Sequence, residues 1–266
     1  MNATQTRPFA VITGASSGIG YELAKVFAEN GFDLLINAED DLSAVQRDVA
    51  NEEVEVETVQ ADLSNPKGVE KLYARIQKAG RPVDAIALNA GIGAGGDFAR
   101  DTDFAQELEL IDLNIRSTVH LSKLVLPDMV RRGEGRILFT SSIASTMPGT
   151  FQAVYNASKS FVQSFALAIR RELKGTGVTV TSLMPGPTET EFFERAHMED
   201  TRVGSSEKDD PAEVARQGFE ALMKGKERVV AGSLANRLMA YGGRFVPDRA
   251  KAEAHRLMAE PRSSRN

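Results

Sequence analysis

The glycine-rich run TGASSGIG, Thr13–Gly20, constrains what this chain can fold into more than any other feature. It lies between an apolar, β-branched segment, Phe9 to Thr13, and a helical pattern from Gly18 to Asn30. At such a strand-to-helix turn Gly14 allows a tight bend, Gly18 lets backbone approach a pyrophosphate, and Gly20 lets the helix pack closely on a sheet. The helix start adds unpaired N–H groups and a positive dipole end, so the run reads as a dinucleotide cradle. Its glycines stand at 14, 18 and 20, a spacing different from G-x-G-x-x-G. Two other readings exist. One is a purely structural turn. The other is a hydrolase elbow, because Gly14 to Gly18 formally fits G-x-S-x-G. An elbow of that type follows earlier strands and needs an acid and then a His downstream. Here it would sit on the first strand, and His120, His197 and His255 do not occupy an evident strand-end loop.

The strand-helix rhythm set by this turn continues to about residue 230. A second strand spans Leu34 to Asn37, and a helix lies near Asp41 to Ala50. Next come a strand at Val54 to Val59, a helix at Pro66 to Lys78 and a strand at Val83 to Leu88. The second half has a long helix from Asp103 to Arg132, a strand Arg136 to Thr140, a helix Gln152 to Lys174 and a strand Val178 to Leu183. A helix from Pro211 to Lys224 and a short strand Arg228 to Val230 close the series. Repeated βαβ units predict a single α/β, doubly wound domain with a mostly parallel sheet of about seven strands and helices on both faces. No linker or repeat divides the chain. Residues 1–232 are expected to form the dinucleotide-binding and catalytic domain and 233–266 a C-terminal helical extension of it. The stretch from Pro185 to Asp210, rich in Pro, Gly, Thr and charge, reads as a mobile segment over an active site.

Composition narrows the chemistry. With no Cys and three scattered His, neither a disulfide framework nor a metal-ligand spacing exists. A net charge of −5 argues against nucleic acid as the main partner. No apolar stretch approaches the ~20 residues that cross a bilayer. The polar Met1 to Arg7 segment leaves no room for a signal-peptide core, so a cytoplasmic location is expected.

In YNASK, Tyr155 and Lys159 are four residues apart on an expected helix and share a face. A phenol with an ordinary pKa of about 10 needs a nearby cation to exchange protons near neutral pH, and Lys159 can supply it. Ser142 follows the strand ending near Thr140, where such sheets present their ligand crevice. Singly, each residue is also explained by packing, solvation or a turn.

Taken together, the motifs resemble the classical short-chain dehydrogenases/reductases. They are TGASSGIG at 13–20, NAG at 89–91, Asn114 in DLNIRS, Ser142 in SSIAS, YNASK at 155–159 and PGPTET at 185–190. The resemblance covers residue 8 to about 230, in the family's order and spacing. It implies a Rossmann-type fold and a nicotinamide-dependent oxidoreductase with a tetrad of Asn114, Ser142, Tyr155 and Lys159. By the same resemblance Tyr155 is the general acid/base and Lys159 lowers its pKa and binds the nicotinamide ribose. Ser142 positions the carbonyl, and Asn114 holds a water in a proton relay. The cofactor site would comprise Gly14, Ser16, Ser17, Gly18, Ile19 and Gly20 in the loop, with Asp62 and Leu63 at the adenine. Asn89, Ala90 and Gly91 would line it, and Pro185, Gly186 and Thr188 would hold the carboxamide end. Asp62 also fits a turn that caps the helix beginning at Pro66. A protein of this fold that binds cofactor as a sensor or scaffold without turnover is the competing function.

The choice of cofactor, NAD(H) or NADP(H), falls at the end of the second strand, in LLINAEDD. No Arg stands there to pair with a 2′-phosphate, and Glu39 can accept hydrogen bonds from ribose hydroxyls while repelling that phosphate. The expectation leans to NAD(H), although the family's acid aligns one position earlier, at Ala38, and Glu39 also fits a solvent-facing start of an acidic loop with Asp40 and Asp41. The substrate is expected to be a small carbonyl or alcohol compound. Its pocket would be shaped by the loop after Gly93, by Thr146 to Gln152 and by Phe192, Phe193 and Met198, the last three being equally well explained by packing of a short lid helix. The tail from Ser233 is locally basic, with Leu234, Leu238, Tyr241 and Phe245 interleaved with Arg237 and Arg244. Such a segment packs on its own domain or a sister subunit, or lies on a membrane or partner. By family analogy a homodimer or homotetramer is expected.

Overall fold

Parallel strands need long crossovers, and this chain supplies a helix for every one. The computed structural model describes residues 7–50, 52–242 and 246–262. Its strands are β1 (Phe9–Thr13), β2 (Asp33–Ala38), β3 (Val56–Gln60), β4 (Ala85–Leu88), β5 (Gly135–Thr140), β6 (Val178–Pro185) and β7 (Arg228–Ala231). They form one sheet in the order β3-β2-β1-β4-β5-β6-β7, and every pair is parallel. The chain starts at the centre, winds outward to β3, then returns past β1 and winds the other way. The reversal between β1 and β4 opens a crevice at the carboxyl ends of the strands, where a ligand can bind.

The strands are buried on both sides, so alternate residues serve two cores. Ala10 and Ile12 of β1, with Leu34 and Ile36 of β2, pack on one face beneath α1 (Gly18–Glu29) and α8 (Pro211–Met223). Phe9, Val11 and Leu35 point to the other face, beneath α3 (Pro66–Lys78), α5 (Thr118–Arg132) and α6 (Ala153–Glu172). Phe27 is fully buried and meets Phe32 and Phe219 edge to face, with centroids 5.1 and 4.8 Å away. A phenylalanine buried in this way contributes about 1.5–3 kcal/mol of transfer free energy.

The long helix expected from Asp103 to Arg132 is built in three parts: α4 (Phe104–Ile111), a π-helical stretch Asp112–Ser117, and α5. The π turn inserts extra backbone where Asn114 lies, a common device at functional sites. The remaining helices are α2 (Ser43–Val49), α7 (Phe192–Arg195), α9 (Leu234–Gly242) and α10 (Asp248–Ala259). The segment 185–210, expected to be mobile, carries the single turn α7 and a parallel bridge between Thr188 and Asp209. No helix among the described residues is long and apolar enough to cross a membrane.

The basic tail folds back onto the strand ends. Thr150 Oγ1 donates to Ala252 O at 2.9 Å, and Val203 N donates to Met258 O at 3.1 Å. Ala259 is buried against Phe193, Ala196 and Met198. Of the residues proposed to interleave there, Arg244 and Phe245, and the side chains of Leu234 and Tyr241, lie outside the described residues.

Candidate active site

The cradle of the glycine loop is intact. Gly14 has φ +66°, and a Cβ there would lie 2.8 Å from the backbone of Ala90. A Cβ on Gly20 would run into the carbonyl oxygen of Gly14, so this glycine keeps the loop folded on itself as well as close to the sheet. Helices α3, α4 and α8 are capped by the side chains of Asn65, Asp103 and Asp210. Helix α1 is not: Ser17 makes no side-chain cap bond, which leaves the first-turn amides available to an anion. Ser16 is tied to Asp40 at 3.3 Å.

Asn89 clamps the crevice. Its amide Nδ2 donates to Thr13 O and Gly14 O, at 3.2 and 3.3 Å, and its Oδ1 accepts from Thr140 Oγ1 at 3.1 Å. Thr13 Oγ1 in turn accepts from the amides of Asn89 and Ala90, each at 3.0 Å. The ends of β1, β4 and β5 are thereby held in one geometry. Asn37 does the same for β2 and β3, donating to Val59 O and Ala61 O. Thr13 shows in the sequence only as part of the glycine run and Asn37 only as part of the Asn37–Glu39 region that decides the cofactor; their clamping role is invisible there because it is made of contacts between strands far apart in the chain.

All the residues expected to hold cofactor line one continuous cleft: the loop from Gly14 to Gly20, Glu39, Asp62 with Leu63, Asn89 to Gly91, and the Pro185–Thr188 turn. Asp62 also accepts from Ser64 N at 2.8 Å, while the helix that follows is capped by Asn65 instead. The Pro185–Thr188 turn is held from behind by Asn236 and Asp209, whose side chains meet at 2.5 Å. These residues fit a nicotinamide dinucleotide: a glycine cradle with an uncapped helix start at one end, and a polar turn beside Tyr155 at the other.

Ser142, Tyr155 and Lys159 line the same cleft and are buried. Burial pushes the Tyr155 phenol up to about 12, while its hydrogen bond with Ser142 pulls the other way. Burial pushes the Lys159 ammonium down to about 8. Its Nζ donates to Thr140 O at 3.1 Å and lies 5.8 Å from the centre of the Tyr155 ring. Desolvation is the larger influence on the phenol and the Ser142 hydrogen bond the opposing one. Asn114 is buried and does not line the cleft. Its side chain exchanges two hydrogen bonds with the backbone of Ile92, both 3.0 Å, and donates to Ser158 Oγ. In this state Asn114 fixes the loop after Gly91.

At the substrate end Phe192 of α7 lies against Tyr155, with ring centroids 5.1 Å apart, and Phe193 and Met147 also line the cleft. For Met198 the structure favours the packing alternative over the pocket-lining one. It is buried beneath Gly95 with Phe193 and Ala259, and packs the lid instead of lining the pocket. At the adenosine end Glu39 has a raised pKa, first through burial and then through Asp40, Asp62 and Glu109; Arg195 opposes the shift. Arg195 reaches Asp40 at 3.5 Å and Glu191 at 2.8 Å.

Comparison with known proteins agrees with this geometry. Residues 8–200 match the family described as short chain dehydrogenase. Sulfoacetaldehyde reductase 2 of Chromohalobacter salexigens is 36% identical over 185 residues, covering 68% of this chain and 73% of that protein. An NADP-dependent 3-hydroxy acid dehydrogenase of Salmonella typhi is 32% identical over 178 residues, or 66% of this chain and 71% of its own. Among solved structures, a short-chain dehydrogenase from Sphingobium yanoikuyae in complex with NADPH is similar. It superposes with a TM-score of 0.79 at 30% identity, covering 89% of this chain and 93% of that one. Its motifs, its seven-stranded sheet and these relatives together make the chain a short-chain dehydrogenase/reductase, an oxidoreductase of the nicotinamide-dependent kind.

Proposed function

We propose that the protein interconverts a carbonyl compound and its alcohol, with Tyr155 as the proton donor and acceptor. The observation that carries this reading is the joining of Ser142, Tyr155 and Lys159 to the glycine cradle in one cleft. When bound, the nicotinamide supplies or accepts the hydride at the substrate carbon. In reduction the Tyr155 hydroxyl gives its proton to the carbonyl oxygen as negative charge develops there. The Ser142 hydroxyl orients that oxygen, and the Lys159 ammonium stabilises the phenolate left behind and holds the nicotinamide ribose. Asn114 acts from behind the cleft, keeping the Ile92 backbone in place. A silent sensor would have no chemical need for a buried Tyr and Lys together, each at a cost of desolvation.

The relatives named above include NADP-dependent and NADPH-bound proteins, which runs against the expectation from Glu39. The local charge supports NAD(H) all the same: Glu39 and Asp40 line the adenosine end beside Asp62 and Glu109, a setting that repels a 2′-phosphate. Fluorescence titration with each reduced cofactor tests this, and NADH is expected to bind at least about tenfold more tightly, the effect of ~1.4 kcal/mol. NADPH binding more tightly by that factor would reverse the assignment. Arg195 would then be the residue to answer for it, as the cation at that end of the described cleft, and Arg195→Ala would remove the preference.

The family's homo-oligomer has a physical basis here. Phe104 and Leu108 of α4 and Phe161 of α6 are exposed, an apolar surface of the kind that subunits cover. Sedimentation equilibrium is expected to give a dimer or tetramer, and a monomer at micromolar concentration would contradict it.

A further inference from the structure

The C-terminal helix α10 lies outside the residues that match the family, yet His255, Met258 and Ala259 line the cleft that holds Tyr155. The helix is pinned there from two directions. Thr150 Oγ1 donates to Ala252 O, and the His255 ring lies 2.8 Å from Thr150 O through its Nδ1. On the other side Val203 N donates to Met258 O, and Arg262 N donates to Asp200 O at 3.0 Å. The turn that α10 grips leads directly into α6, the helix of Tyr155. It contains Phe151 with φ +65°, a left-handed conformation unusual for a residue of this size and maintained by the contacts around it, including Gly96 N to Phe151 O at 2.9 Å.

The contact with Thr150 fixes the chemistry of the imidazole. A backbone carbonyl only accepts, so Nδ1 carries the proton and Nε2 of the neutral ring presents a bare lone pair. Nε2 has no protein partner among the described residues, although His255 is almost fully buried. Burial lowers the ring's pKa, which favours the neutral form. The same cleft is lined by the apolar side chains of Phe192, Phe193, Met258 and Met147, together with the uncharged Gln152 next to the Thr150–Phe151 turn.

We propose that His255 is a substrate-recognition residue whose Nε2 accepts a hydrogen bond from a hydroxyl group on an uncharged, otherwise apolar ketone or aldehyde, with the reacting carbonyl at Tyr155 and Ser142. This rests on the oxidoreductase reading above and adds the substrate class to it. A buried neutral acceptor in a cleft with several apolar lining side chains selects a donor and disfavours an anion, so the preferred substrate differs in charge from a 3-hydroxy acid or a sulfonated aldehyde.

The test uses the full chain and a series of alkyl and alicyclic ketones of matched skeleton, each bearing a distal methyl, hydroxymethyl or carboxylate group. The unaltered protein is expected to reduce the best hydroxymethyl ketone with kcat/KM at least about tenfold above its methyl and carboxylate partners. Asn in place of His255 keeps a donor near Thr150 O and shortens the side chain, removing the acceptor at the Nε2 position. His255→Asn should therefore lose the hydroxymethyl preference, mainly through KM. Turnover without that preference in the unaltered protein overturns the assignment of His255 alone, whether or not the variant folds. A preference that persists in His255→Asn overturns it too. Absence of turnover with every ketone, in a protein that binds nicotinamide cofactor, overturns the oxidoreductase reading and this proposal with it.

Discussion

Tyr155→Phe is expected to lower kcat/KM for carbonyl reduction by about 10²- to 10⁴-fold, the range for loss of a positioned general acid. The substitution removes one oxygen from a ring that is packed against Phe192 and buried in the cleft, so the apolar contacts persist. Cofactor affinity should shift by no more than about tenfold, the net worth of a single hydrogen bond. Steady-state kinetics with a fluorescence-measured Kd separates the two quantities. Because burial holds the phenol at about 12, it is protonated throughout the neutral range and ready to give a proton to a carbonyl oxygen. Alcohol oxidation needs the phenolate instead, so its rate should climb with pH up to about 8, where Lys159 begins to lose the charge that stabilises the phenolate, while reduction does not climb.

Lys159→Met should be nearly as damaging, by about 10²- to 10³-fold in kcat/KM, because it removes the cation that stabilises the phenolate in a water-poor cleft. The pH profile carries a second signature. The Lys159 ammonium is pushed down to about 8, so its charge is present below that pH and is lost as pH rises through it. Reduction by the unaltered protein should therefore fall on the alkaline side of about pH 8, and the variant should lack that limb. A variant that kept the same alkaline limb would assign it to another group.

Much of the site is legible in the sequence because its parts are local. The glycine loop, the Tyr155–Lys159 pair and the turn after β6 each lie within a few residues of one another, and their spacing fixes their mutual geometry once the element type is known. The strands are legible for the same reason, since continuous apolar runs such as Phe9–Thr13 and Ala85–Leu88 carry the signature of strands buried on both faces. What escapes is set by long-range contact. The π turn at Asp112–Ser117 sits inside a pattern that reads as one helix, because its side chains keep the periodicity on either side. Asn114 belongs with the catalytic motifs in sequence, yet its amide is spent on Ile92. Met198 reads equally as a pocket residue or as lid packing beside Phe192 and Phe193, and only the turn after α7, which points it under Gly95, decides for packing. The position of α10 is the largest gap. The amphipathic pattern of the tail lies at 234–245, before α10, so nothing in it says where α10 docks; the bonds of α10 to Thr150 and Val203 place that helix.

Cofactor preference shows the same limit from another side. Glu39 is visible in the sequence, but the charges that act on it come from Asp62, Glu109 and Arg195, brought together by the strand ends and the lid. The sign of that local field, set against the NADP-linked names of related proteins, makes the choice of nicotinamide a property of a handful of side chains and not of the fold.

The central claim is that a bound nicotinamide and Tyr155 act together on one carbonyl. Its most direct test is transfer from reduced cofactor deuterated at C4, with the alcohol product read by mass spectrometry in single turnover. Deuterium is expected at the carbinol carbon of the product formed by the unaltered protein, with formation slowed by about 10²-fold or more in Tyr155→Phe. Product without deuterium from either face of the labelled cofactor, or equal single-turnover rates in the two proteins, would contradict the account.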